Sequence, residues 1–172
     1  MDVYEAIQTR QSIRRYRPEP VPDDVLNRVL DATRLAPSAG NLQPWRFIVV
    51  KDAAVREQLA KATDRQGFIA HAPIIIVACG WKERAYSKMG GYWNSLAVDL
   101  AIAFDHLTLA AAAEGLGTCW IGSFLEEEVR RVLGIPEEVT VIALTPMGYH
   151  DVSPGPKDRK KLTEVVCYER WG

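Results

Sequence analysis

The chain has 172 residues, enough for one ordinary domain with a sizeable core and too few for two. Its 48% hydrophobic and 25% charged residues are those of a globular protein, which excludes a disordered or fibrous chain. With 21 Lys and Arg against 22 Asp and Glu, the net charge of -1 offers no overall pull toward DNA or an anionic membrane, so any anion site must be local.

The opening MDVYEAIQTRQ has no basic region followed by an apolar run, so no signal peptide is expected. Val3, Ala6 and Ile7 give residues 2–9 a short helical pattern. TRQSIRRYRPEP follows, with Arg10, Arg14, Arg15 and Arg17 crowded into eight positions. Asp23 or Asp24 is expected to cap a second helix through Leu35, with Val25, Leu26, Val29 and Leu30 facing inward. The loop APSAGNLQPW leads into RFIVVK, a buried-strand run, and DAAVREQLAKAT reads as a third helix. PIIIVACGW is a second central strand, followed by the Gly- and aromatic-rich YSKMGGYWN.

A long helix is expected over roughly 94–115. Asp99, Asp105, His106 and Glu114 make it a buried helix and argue against a membrane span. GLGTCWIGSF gives a tight turn and a third strand, LEEEVRRVLGI an amphipathic helix, and VTVIALTPMGY a fourth strand. A polar stretch, HDVSPGPKDRK, separates these from TEVVCYE. The pattern is α+β, one layer of sheet with helices around it.

Two features point to an oligomer. The 94–115 helix is apolar nearly all round, and a second copy is the cheapest cover for its outer side. The polar linker before TEVVCYE is long enough to carry that segment to a partner's sheet edge. Both could instead fold back within one chain.

The chemistry-bearing stretches are four. If TRQSIRRY runs extended, Arg10, Ser12 and Arg14 share one face, and Gln11, Ile13 and Arg15 the other. Two guanidiniums flanking a hydroxyl suit a phosphate, but on this stretch alone a solvated basic face is the better reading. In PGPKDRKKL, Lys157 and Arg159 stand two apart in a loop stiffened by Pro154 and Pro156. Together with Arg10 and Arg14 they would overbalance a phosphate monoester. Pro37, Ser38, Gly40 and Asn41 are turn formers suited to close contact with a planar polar ligand, or to a plain helix-to-strand connection. Gly122, after Trp120 and Ile121, either exposes a backbone N–H to a ligand or allows close packing.

Other chemistries lack their motifs. Gly115 and Gly117 do not extend to a GxGxxG between strand and helix, so a Rossmann site is rejected. His71, His106 and His150 have no metal-ligand spacing, and no nucleophile elbow or P-loop occurs. Asp99, Asp105 and His106 read as satisfied core polar groups or dimer contacts. Cys79, Cys119 and Cys167 are odd in number and lie in apolar runs, which suits a reducing cytoplasm.

Taken together, RxSxR near the start, PSAGNxQPW at 37–45, the Ala-rich helix into GLGTCWIG and a tail with KxR resemble the FMN-dependent nitroreductase family. The resemblance covers nearly the whole chain. It implies one nitroreductase-like domain over 1–172, with a central mixed sheet flanked by helices and residues 150–172 as an arm reaching onto a partner. It also implies a homodimer with FMN at the subunit interface, NADH or NADPH as co-substrate, and no nucleic acid or membrane partner. By motif, Arg10, Ser12, Lys157 and Arg159 would hold the phosphate, with Gln11 beside them. Arg14 would approach the pyrimidine edge, where positive charge favours the reduced ring. Pro37, Ser38, Ala39 and Asn41 would come from the other subunit. Gln66, Trp120, Ile121 and Gly122 would meet the ring, and Arg15 and Arg17 would face water.

The mechanism implied is ping-pong, with hydride passing from the nicotinamide through flavin N5 to a small acceptor, and no side-chain acid or base required. Tyr86, Tyr92 and Trp93 stand where longer members carry a substrate-covering insertion, as a pocket roof or as core. A flavin-binding carrier or sensor without turnover is the alternative. A nucleic-acid module using the Arg cluster is disfavoured by the net charge.

Overall fold

The computed structural model describes residues 1–153 and 155–171. Pro154, expected to stiffen the arm, lies outside them. Four strands form one sheet in the order β1 (Trp45–Val50), β2 (Ile74–Trp81), β4 (Val139–Tyr149), β3 (Leu116–Thr118). Every neighbouring pair is antiparallel. Parallel pairing enters at the bridge between Ser12 and Thr118, so the mixed character of the sheet is confined to the edge beyond β3.

β2 explains why both faces of the sheet are covered. IIIVAC has no polar face, and its side chains alternate between two cores. Ile74, Ile76 and Ala78 share one core with Leu26 and Val29 of α2 (Asp23–Arg34) and Leu100, Phe104 and Leu107 of α4 (Leu96–Ala113). Ile75, Val77 and Cys79 share the other core with Leu59 of α3 (Ala53–Lys61) and Val129 of α5 (Glu126–Leu133). Burying a large aliphatic side chain is worth roughly 1.5–3 kcal/mol, so these two layers hold the sheet. The chain begins with α1 (Val3–Thr9), capped by the Asp2 carboxylate on Glu5 N–H, and it packs on α4.

Several expectations are corrected locally. Asp23 and Asp24 do not cap α2; Pro22 occupies that position and the two carboxylates lie in the first turn, where they face the positive end of the helix dipole. The third strand is only three residues long. Cys119 N–H donates to the Thr145 side chain rather than to a ladder carbonyl, which ends the pairing until Ile121 bonds Leu144. In the tail, the single chain shows no strand over TEVVCYE, and pairing of this segment with a partner's sheet edge lies outside one chain. Leu162–Val165 forms one helical turn (α6), and Lys161 N–H donates to the Glu164 side chain at its start.

α4 is buried along one side only. Leu96, Asp99, Leu100, Ala103, Phe104, Leu107, Thr108 and Ala111 face the sheet, while Val98, Ala101, Ile102, Asp105 and Leu109 are exposed or half-exposed. By length and composition alone this helix is apolar enough to cross a membrane; here its buried side forms the centre of a core. At its C-terminus Glu114 accepts two hydrogen bonds from Arg28 of α2, each 2.9 Å.

Candidate functional site

The RQSIR segment leaves α1 at Arg10 and runs along β3. Ile13 N–H donates to Thr118 O at 2.8 Å, and Gly117 allows this approach. A Cβ there would stand 2.7 Å from Ile13 Cβ and 2.6 Å from His150 Cδ2. Ile13 is buried, while Ser12 and Arg14 are exposed, as an extended alternation requires.

The two ends of the chain meet here. Gln11 Nε2 donates to Ser153 O at 3.0 Å, and Gly155 N–H donates to Gln11 Oε1 at 3.4 Å. One amide side chain thereby holds the arm through both its donor and its acceptor. The arm then brings Lys157 and Arg159 to Arg10 in an open groove of about 680 Å³, also lined by Ile7, Asp105 and Leu109. Lys157 Nζ donates to Ile7 O at 2.6 Å. Among the described residues, none of the three cations forms an ion pair with a carboxylate. The Lys157 ammonium accordingly titrates below its ordinary value, first through burial and then through the charges of Arg10 and Arg159.

Arg14 lies elsewhere. It acts electrostatically on Tyr16, whose phenol titrates well above its usual range through burial first and Cys119 second, with Arg14 opposing. Trp120 is 43% exposed and meets Phe104 edge-on at 4.6 Å. Ile121 is buried and exchanges two backbone hydrogen bonds with Leu144. Gly122 is exposed, and a Cβ on it would touch only Trp120 Nε1, at 3.9 Å, so close packing within the chain does not require the glycine.

The loop carrying Pro37, Ser38, Ala39 and Asn41 is strained. Gly40, Asn41 and Gln43 have φ of 59°, 56° and 48°, and left-handed backbone at two non-glycine residues needs outside support. Ser38 Oγ accepts from Gln43 N–H, and Asp99 Oδ1 accepts from Ala39 N–H, both at 2.9 Å. Gln66 is half-buried at the start of the 3₁₀ turn 67–71. The groove of the three cations is not lined by residues 37–41, 66 or 120–122.

A family model described as the nitroreductase family matches residues 7–66 and 63–149. The chain belongs to the nitroreductase family. Among curated relatives of this nitroreductase-family chain, a Thermus thermophilus protein named NADH dehydrogenase is 33% identical over 199 residues, covering 98% of this chain and 96% of that one. A solved nitroreductase family protein from Clostridium difficile superposes with a TM-score of 0.89 at 31% identity, covering 99% and 100% of the two chains. The NADPH:FMN oxidoreductase of Vibrio harveyi, solved with NAD+, gives 0.87 at 26% identity, covering 99% of this chain and 78% of that one.

One assignment changes on the family's scaffold. Arg17 does not simply face water: it pairs with Asp151 at 3.4 Å and Glu19 at 3.2 Å, lies over the Tyr149 ring, and so anchors the root of the arm. Arg15 is exposed as expected. Sequence reasoning also missed Gln11 as the arm's anchor and Asp99 as the support of the 37–43 loop. For Asp99 the signal was present, a carboxylate at an inward position of an apolar helix.

Proposed function

We propose that the chain is an FMN-dependent oxidoreductase that takes hydride from NADH or NADPH and delivers it to a small organic acceptor such as a nitroaromatic or quinone. One observation carries the reading: Arg10 at the end of the first helix and Lys157 and Arg159 from the arm converge in an open groove, three cations to the single carboxylate of Asp105, with no ion pair to any of the three among the described residues. Lys157 titrates below its ordinary value through burial first and then through the charges of Arg10 and Arg159, and a phosphate monoester would relieve that repulsion. The donors present therefore fit the phosphate end of FMN.

In this reading Arg10, Ser12, Lys157 and Arg159 hold the phosphate, and Gln11 fixes the arm that delivers two of them. Arg14 supplies positive charge at the pyrimidine edge. Gln66, Trp120 and Ile121 bound the ring, and Gly122 presents its backbone N–H. Pro37, Ser38, Ala39 and Asn41 complete the site from a second subunit. The bound flavin supplies the two-electron chemistry that no side chain here can perform. The chain's own residues position the flavin, stabilise charge and leave one open face that nicotinamide and acceptor use in turn, a ping-pong order.

The whole chain acts as one unit, with residues 150–172 as an arm onto a partner. A homodimer is supported by apolar side chains left outward on α1, α4 and the tail: Tyr4 is 74% exposed and Trp171 99%. The buried thiols of Cys79 and Cys119, unbridged, suit a reducing cytoplasm.

The test is optical. The purified protein should be yellow, release FMN on denaturation, and oxidise NADH or NADPH steadily with a nitroaromatic or quinone. A yellow protein inert to both nicotinamides would favour a carrier. Arg10→Ala combined with Arg159→Ala removes two charge-assisted contacts, so FMN affinity should fall by about two to four orders of magnitude in a folded protein. Stoichiometric FMN in that double variant would refute the phosphate assignment.

A further inference from the structure

The Asp99 carboxylate joins two segments that the chain separates by more than forty positions. Its Oδ1 accepts from Ala39 N–H at 2.9 Å, and its Oδ2 accepts from the Ser95 hydroxyl at 2.6 Å. Ser95 Oγ in turn accepts from Tyr86 N–H at 3.0 Å, and Ser95 N–H donates to Tyr86 O at 2.8 Å. Asp99 is 2% exposed and Ser95 0%. Among the described residues Asp99 forms no ion pair; a buried carboxylate without one is costly, and an apolar residue would serve packing better at this inward position. What the carboxylate contributes is reach to both sides at once.

The two segments it joins have different roles. Residues 37–43 carry the left-handed backbone at Gly40, Asn41 and Gln43, and in the flavin reading they face the cofactor. Residues 85–95 turn through Gly90 and Gly91, close on a bridge between Met89 and Trp93, and leave Tyr86, Tyr92 and Trp93 exposed at 45%, 77% and 53%. Tyr92 and Trp93 pack edge-to-face at 5.8 Å, forming a small aromatic platform.

We infer that Ser95 and Asp99 form a buried tie that makes the 37–43 loop and the aromatic 85–95 segment one mechanical unit, so that both are positioning residues for a planar aromatic acceptor. The inference rests on the flavin oxidoreductase reading for its consequence in turnover, but the tie itself is a property of the chain without cofactor. It implies that loosening one segment loosens the other, because the same carboxylate supports both. Independent segments would respond separately.

The experiment compares wild type, Ser95→Ala, Asp99→Ala and Asp99→Asn. Amide hydrogen exchange of the flavin-free protein reads the tie. Steady-state kinetics with a nitroaromatic acceptor read its consequence. Ser95→Ala leaves the Asp99–Ala39 bond formally intact, yet exchange should rise about fivefold or more in both 37–43 and 85–95. The acceptor KM should rise about threefold or more, by a larger factor than kcat falls. Asp99→Asn, which can still accept from Ala39 N–H and donate to Ser95 Oγ, should restore both readouts toward wild type. Faster exchange confined to 85–95 in Ser95→Ala, or an unchanged KM, overturns the inference. If Asp99→Ala fails to fold, Ser95→Ala and Asp99→Asn still decide it. A wild type without flavin or turnover would sink the oxidoreductase reading, while the exchange experiment would still judge the tie.

Discussion

Lys157 shows how one side chain reports on a site. In the flavin-free protein its ammonium is opposed by burial and by Arg10 and Arg159, so it loses its proton below the ordinary 10.5. Between the lowered value and 10.5 the unfolded chain holds this proton more firmly than the folded one. Raising the pH across that window therefore favours the flavin-free fold. Phosphate reverses the balance, because a dianion stabilises the charged ammonium and draws the proton back. FMN binding should then take up a proton in the alkaline window, and affinity should fall as pH rises, by at most about tenfold per pH unit for one linked proton. Lys157→Arg stays charged throughout and should lose that slope. Fluorescence titrations of both proteins from neutral to alkaline pH check this, since the flavin's own ionisation is common to both. Parallel slopes would remove Lys157 from the phosphate site.

At the scale of elements, what the sequence displays depends on how local the cause is. The two-sided apolar run of β2 and the inward residues of α2 are local patterns, and both elements form where the pattern places them. The shortness of β3 is not local, because it follows from Thr145 presenting a hydroxyl to Cys119 across the sheet. Gln11 clamps residues 142 and 144 positions away, which no spacing rule reaches. The cations Arg10, Lys157 and Arg159 were legible as residue types, but their meeting depends on this clamp.

The junction of β3 with the RQSIR segment yields an element-scale prediction. Gly117→Ala would set a methyl 2.6 Å from Ile13 Cγ1 and 2.6 Å from His150 Cδ2, closer than packed atoms tolerate. The segment must move outward, costing about 1–3 kcal/mol of stability. Ser12 and Arg10 move with it, so FMN affinity should fall as well. Urea unfolding and flavin titration of the variant measure the two effects. A stability loss with unchanged flavin affinity would separate the RQSIR segment from the cofactor site.

For the molecule as a whole, the outward apolar residues decide what the chain needs to be complete. Val3, Tyr4 and Ile7 on α1 are all more than half exposed, α4 presents Val98 and Ala101 to the outside, and the tail adds Leu162, Val165, Tyr168 and Trp171. Scattered exposed apolar residues are ordinary, but these cluster on neighbouring helices and on an arm that little of this chain covers. Since α1 and α4 also border the cation groove, covering them with a second copy would enclose the site at the same time. The thermal midpoint should therefore rise with protein concentration, as mass action requires for a folded dimer. Val98→Lys places a charge on the outer stripe of α4 and should weaken association by about 2 kcal/mol or more. If residues 37–41 come from a second copy, as proposed, it should also lower flavin occupancy, although Val98 lines no part of the groove. Light scattering over a concentration series, with the flavin absorbance of each fraction, tests both expectations together. A wild type that is monomeric at high micromolar concentration and still holds one FMN per chain would show that a single copy suffices.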